Sequence, residues 1–270
     1  EPFPPMMAGP GVPAPAVPDD TATRAEQERY LAGLAHDLGQ IGGGPVETAV
    51  ITGRPGPALV AHVEEMKPSL MVMATHGRGP LTRLWLGSVA DRVLREADTP
   101  LLLVRPEAED AVPKPSRFSK GLIPIGRGVD GDWMLEPALT LAALTEAHLT
   151  LLTVVQPVYG FAVGAPPYPT VADPRLQELL EEDAKQHLAE VAERLRARGH
   201  TVDTRVVVGA GVGAMILETA ESLEVDFIAL GSEATTGIRR FLLGSVADKV
   251  IRGSTCPVLV ARQPAQSGSR

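Results

Sequence analysis

Cysteine is all but missing: Cys256 stands alone among 270 residues, which excludes an internal disulfide framework. The six histidines are scattered, and none is spaced from a cysteine or a second histidine as zinc ligands are. Positive charge is in deficit as well, with 25 Lys and Arg against 33 Asp and Glu for a net charge of -8. Such a surface repels phosphate backbones and anionic lipid alike, so neither nucleic acid nor a membrane is an expected partner. No apolar run approaches the roughly eighteen residues of a bilayer span. The N-terminus lacks the basic-then-apolar order of a signal peptide, and a cytoplasmic protein is expected. Catalytic signatures are lacking too. There is no G-x-S-x-G elbow, no Walker lysine, no serine-rich pyrophosphatase loop after Pro124 and no paired carboxylates at one identifiable place, so an enzyme is not expected.

What is present is a repeat. LWLGSVADRVLREADTPLLLVR at 84–105 returns as FLLGSVADKVIRGSTCPVLVAR at 241–262, with about half the positions identical and a shift of about 157 residues. Upstream, AVITGRPGPALV at 49–60 lies against VVVGAGVGAMIL at 206–217, and LMVMATHG at 70–77 against FIALGSEA at 227–234. A chain of this length with 44% hydrophobic residues can supply two cores of about 130 residues each. Two modules are expected, at 1–106 and 119–265, joined by a Pro- and charge-rich linker at 107–118.

The second copy alternates strand and helix: strand 119–125, helix 132–146, strand 148–155, helix 174–198, strand 202–208, helix 212–223, strand 225–230, helix 245–252 and strand 257–261. Short, apolar, often β-branched strands between helices predict a doubly wound parallel sheet covered on both faces. The stretch from Gln156 to Pro174, rich in Pro, Gly and Tyr, predicts a flexible excursion. Helix 174–198 carries an apolar stripe, Leu176, Leu179, Leu180, Leu188, Val191 and Leu195, which core packing accounts for.

The first copy shows only the later part of this pattern: helix 21–40, strand 46–52, helix 56–65, strand 69–74, helix 88–97 and strand 100–105. Glu1-Pro2 aligns with Gln156-Pro157, so a βαβ unit is expected to be missing ahead of it. A sheet cut in that way leaves backbone groups unpaired at about 1–3 kcal/mol each when buried. Residues preceding Glu1, or a partner chain, are expected to fill the gap.

Chemistry points to the loops that follow the fourth strand of each copy. In the first, nine residues separate Gly77 from Gly87-Ser88; in the second, nine separate Ala234 from Gly244-Ser245. Glycines let backbone amides approach a phosphate with no Cβ in the way, and a helix start offers free amides and partial positive charge. A simpler reading of the serines is a capping box, Ser88 with Asp91 and Ser245 with Asp248, that needs no ligand. In open α/β sheets the ligand crevice lies beyond the carboxyl ends of the strands where strand order reverses, and both loops fall there.

This pattern resembles the nucleotide signature of the universal stress protein family, in which two spaced glycines precede a final Gly-Ser or Gly-Thr. Each copy keeps one of the first two glycines and the closing Gly-Ser. The resemblance implies two Rossmann-like modules of the adenine nucleotide alpha hydrolase type, with strand order 3-2-1-4-5, and a stress-response regulator with ATP or AMP binding, Mg accompanying ATP. It places nucleotide contacts at Met73, Ala74, Gly77, Arg78, Gly79, Gly87, Ser88 and Val89 in the first module. In the second it places them at Pro124, Ile125, Gly126, Val154, Gly231, Ala234, Gly244, Ser245 and Val246.

The family sets an Asp at the end of its first strand against the adenosine. Gly126 occupies that place here and Asp130 comes four residues late, while Glu233 adds charge beside the presumed phosphate path. Binding is therefore expected at module one, with its Arg78 and Arg83, rather than at module two. His76 is expected to hold loop geometry, and Trp85 and Phe241, at matching positions, to pack. In the family the last strands pair across a two-fold axis. Strands 100–104 and 257–261 are expected to pair within this chain, which leaves a homodimer allowed but not required. The competing reading is an interaction or scaffold module in which both loops are vestigial.

Overall fold

A computed structural model describes residues 20–42, 44–75, 86–105, 118–126, 132–160, 170–171, 174–232 and 243–262. They fall in two compact units, Glu1–Gly53 and Arg54–Arg270. The first unit holds α1 (Asp20–Gly42), followed by residues 44–53 without regular structure. The second holds α2 (Pro55–Met66), β1 (Met71–Ala74), α3 (Ser88–Glu96), β2 (Leu101–Val104), β3 (Lys120–Pro124), α4 (Asp132–Thr145) and β4 (His148–Val155). It continues through β5 (Tyr159–Gly160), β6 (Thr170–Val171), α5 (Pro174–Ala197), β7 (Val202–Val208), α6 (Val212–Ser222), β8 (Phe227–Ser232), α7 (Ser245–Gly253) and β9 (Val258–Arg262).

Seven strands of the second unit form one sheet in the order β1-β2-β9-β8-β3-β4-β7. The five strands of the second repeat, counted in chain order, stand as 3-2-1-4-5, and every contact among them is parallel. β1 and β2 also run parallel to each other. The joint between the repeats is antiparallel, with Leu101 opposite Val260, Leu102 opposite Leu259 and Leu103 opposite Val258. The two last strands thus pair inside one chain, as the sequence led us to expect. β5 and β6 form a small antiparallel pair inside the Gln156–Pro174 excursion.

Period-two alternation sends neighbouring side chains to opposite faces of the sheet. Leu122, Ile228, Leu230, Val258 and Val260 meet the buried faces of α2, α3, α6 and α7. Ile123, Leu149, Phe227, Ala229 and Leu259 meet α4 and α5. Gly121 belongs to β3 because a Cβ there would run into the Phe227 ring. Phe227 is fully buried, a side chain whose burial contributes about 2–3 kcal/mol.

Two sequence expectations are corrected. Residues 45–52 form no strand, although Val46, Val50 and Ile51 suit one. Their counterpart β7 is held by β4 alone, and no counterpart of β4 occurs in the first repeat among the described residues. A strand without a neighbour has no ladder to complete. The apolar stripe of α5 is also not wholly core: Leu188, Val191 and Leu195 are buried, yet Leu176 and Leu179 are exposed, Leu179 at 67%. A 24-residue helix is about 36 Å long, and the seven-residue β7 beneath it spans about 23 Å. The first turns of α5 overshoot the sheet.

Candidate functional site

The carboxyl rim of the second repeat is built by β3, β4 and β8, with β3 in the middle. Pro124 closes β3 and is half-buried, Ile125 is buried just beyond it, and Gly126 is exposed. The Ile125 amide donates to the Leu152 carbonyl at 2.7 Å. Its carbonyl accepts a buried hydrogen bond from the Thr153 hydroxyl at 3.0 Å, so both backbone groups of Ile125 are already engaged. Val154 on β4 is half-buried and packs into the core. Gly231 on β8 lies under Met134 of α4, whose side chain takes the place a Cβ would need.

α7 joins β8 to the parallel β9, and a helix in such a crossover runs back along the sheet, so its start lies at the carboxyl rim. Gly244 is the N-cap, with φ -60° and ψ 149°, and Ser245 and Val246 behind it are exposed. The first repeat reproduces this geometry. Gly87 is the N-cap of α3 with the same φ and ψ, and its amide donates to the Thr75 carbonyl at 2.8 Å. That bond ties the helix start to the end of β1, where Met73 is half-buried and Ala74 exposed. Ser88 is exposed and Val89 half-buried in the first turn of α3.

The capping-box reading fails on this geometry. Neither helix start carries a side-chain cap, because the helices begin one residue early for it and glycine, not serine, holds the N-cap. Asp91 bonds Arg95 at 2.9 Å and Asp248 bonds Arg252 at 2.8 Å, one turn along each helix. Asp91 is the first cause of the raised Arg95 pKa. The first intrahelical bonds run from Asp91 to Gly87 and from Asp248 to Gly244. The amides of Ser88, Val89 and Ala90, and of Ser245, Val246 and Ala247, therefore lack partners inside their helices.

Glycine at Gly244 is demanded neither by its backbone angles nor by packing, since nothing lies within 4 Å of a Cβ placed there. Amides without intrahelical partners and the positive end of a helix suit a phosphate. The second crevice suits a nucleotide less well: no carboxylate stands at Gly126, and the Ile125 amide is already bonded to the Leu152 carbonyl. Gly77, Arg78, Gly79 and Ala234 lie outside the described residues, as do His76, Arg83, Trp85, Asp130, Glu233 and Phe241. Among the described residues no group of three or more His, Cys, Asp or Glu could hold a metal ion, and no helix is long and apolar enough to cross a membrane.

Sequence reasoning missed Thr153, Met134 and two arginines at the joint of the repeats. Arg105 and Arg262 occupy matching positions at the ends of the repeated segments, a coincidence that could have marked them. Nothing in the local sequence around Thr153 or Met134 distinguishes either from ordinary core.

Fold and rim together define a duplicated, doubly wound α/β protein with a glycine-led helix start at the mouth of each repeat. The chain belongs to the universal stress protein family, whose model matches residues 3–105 and 118–262. Universal stress protein Mb2346c of Mycobacterium bovis is 27% identical over 243 residues, covering 88% of this chain and 78% of its own length. Universal stress protein MJ0531 of Methanocaldococcus jannaschii is 37% identical over 89 residues, 33% of this chain and 52% of that protein. A solved universal stress protein from Archaeoglobus fulgidus superposes with a TM-score of 0.67 at 21% identity, covering 92% of this chain and 82% of that one, which speaks to the fold alone.

Proposed function

We propose that this chain is a cytoplasmic stress-response regulator of two modules, 1–106 and 119–265, that binds an adenine nucleotide through its glycine-led helix starts and is not a metabolic enzyme. The observation that carries the reading is the pair Gly87 and Gly244: same backbone angles, no side-chain cap on either helix. In this reading the β- and γ-phosphates of ATP, with Mg, or the single phosphate of AMP, meet the amides of Ser88 and Val89 or of Ser245 and Val246. Module one is the stronger site, because module two has Gly126 where the family resemblance sets a carboxylate. Titration calorimetry with AMP and with ATP–Mg tests the proposal. Micromolar binding removed by Gly87→Asp supports it, and an untitratable chain defeats it.

A second reading applies to module two. Met134 over Gly231 and the engaged backbone of Ile125 favour a crevice turned over to packing and partner contact. Loss of all binding on Gly87→Asp, with no effect of Gly244→Asp, supports that division. The last-strand edges are spent within the chain, so a homodimer would use another face.

A further inference from the structure

The glycine that leads α3 is tied to the far end of α7, and every link between them can be followed. The Gly87 amide donates to the Thr75 carbonyl at 2.8 Å, and the Thr75 amide donates to the Val104 carbonyl at 2.9 Å. Val104 is followed in the chain by Arg105, whose guanidinium donates to the Arg252 carbonyl at 2.6 Å. Arg252 lies in the last turn of α7, and Gly244 is the N-cap of that same helix. Three hydrogen bonds thus lead from one glycine N-cap to the helix that the other glycine begins.

The connection matters because α7 is short. Nine residues make about 14 Å of helix, a length that is marginal unless its ends are held. Carbonyls of the last turn have no partner inside the helix, and a cation beside them offsets the negative end of the dipole. The basic residue of that turn, Arg252, is paired back along the helix with Asp248 at 2.8 Å. Arg105 of the first repeat supplies the cation at the carbonyl instead. The reverse connection is looser: Arg262, opposite Ser232 at the end of β8, reaches the Ala97 carbonyl at the C-cap of α3 at 3.3 Å and shares itself with the exposed Asp98.

We infer that Arg105 is a positioning residue for the second rim: it holds α7, and with it the amides of Ser245 and Val246, in a state set by the bond between Gly87 and Thr75 at the first rim. The inference is independent of which ligand either rim takes. The two states are α7 wound to its end with the Arg252 carbonyl held, and α7 with its last turn frayed. Whatever loosens or tightens the Gly87 amide moves Arg105 through Thr75 and Val104, and so moves this balance. Linkage makes such coupling reciprocal, so fraying α7 loosens Gly87 in turn.

Residue-resolved amide exchange in the full chain tests this at Asp248, whose amide makes the first bond of α7. Exchange is read where low urea leaves it unchanged, which marks local opening of the helix rather than global unfolding. Gly87→Pro removes the amide that donates to Thr75, and proline fits the N-cap angles, φ -60° and ψ 149°. Gly87→Pro and Arg105→Ala are each expected to speed exchange at Asp248 about fivefold, the lower end of the range for coupled sites. The double variant should be no faster than Arg105→Ala alone, Arg105→Lys should restore most of the protection, and Arg262→Ala should act on Asp248 less than Arg105→Ala does. Additive effects in the double variant, or an Asp248 amide indifferent to Gly87→Pro, overturn the inference. If Gly87→Pro fails to fold, the Gly87 amide in Arg105→Ala decides: faster exchange there supports the coupling, and unchanged protection overturns it.

Discussion

Arg105, at the end of the first repeat, donates to the main-chain carbonyl of Arg252 at 2.6 Å, close to the end of α7 in the second. The favour is returned. Arg262, the matching residue of the second repeat, donates to the Ala97 carbonyl at 3.3 Å and pairs with Asp98 at 3.0 Å, just past the end of α3. Each repeat thus sends an arginine across the antiparallel joint to the carboxyl end of the other's last helix, where carbonyls are unpaired and the helix dipole is negative.

Replacing either arginine by alanine should therefore weaken the joint. Arg105→Ala and Arg262→Ala are each expected to cost about 1–2 kcal/mol, the range for a charge-assisted hydrogen bond that is partly shielded. Urea unfolding should show lower midpoints, and the double variant should add the two losses. A midpoint unchanged in both would mean the contacts contribute nothing.

The glycine N-caps separate folding from binding. Asp is a better N-cap than Gly by a few tenths of a kcal/mol, and its charge suits a helix start. Gly87→Asp and Gly244→Asp should thus leave stability equal or slightly higher while repelling a phosphate. Melting curves recorded beside nucleotide titrations check both halves of this expectation. A variant that unfolds early would show that glycine serves the fold itself.

Gly121→Ala makes the opposite case. Its new Cβ would enter the Phe227 ring and the Leu149 side chain, and overpacking of this kind costs about 1–3 kcal/mol. The smaller Phe227→Leu should recover part of that loss in the double variant. Chemical denaturation of the four proteins measures the coupling.

Burial pushes the Cys256 thiol above its ordinary range, with the Ser254 hydrogen bond pulling the other way. The folded state therefore holds the proton where the unfolded chain releases it. This contribution to stability is fully present below about pH 8.5, the free-thiol value, and declines as the pH rises above it. Alkylation of Cys256 at pH 8 should be slower than for free cysteine and slower still in Ser254→Ala. A rate equal to free cysteine would refute the shift.

The strands of the second repeat were readable because their evidence is local. His148–Val155 and Val202–Val208 are runs rich in Val, Leu and Thr, and both were placed to the residue. Val46–Thr52 has comparable composition and forms no strand, because a strand is a property of a pair and no partner stands beside it among the described residues. The serine misreading has a similar cause. Ser-x-x-Asp fits a cap when serine is the N-cap, and a shift of one residue hands that place to glycine and frees Asp91 for Arg95. That shift was hinted at by the i, i+4 spacing of Asp91 with Arg95 and of Asp248 with Arg252. The rim glycines were legible from their spacing, whereas Met134 reaches Gly231 from nearly a hundred residues upstream in the chain, where no pattern connects them.

The head-to-tail meeting of β2 and β9 has a geometric outcome. Reversing direction at that joint turns the two helix starts toward opposite ends of the sheet. Within the second unit the two glycine-led rims lie back to back. The bonds of that seam, Leu101 to Leu103 against Val258 to Val260, are all that the sheet itself sets between the two rims.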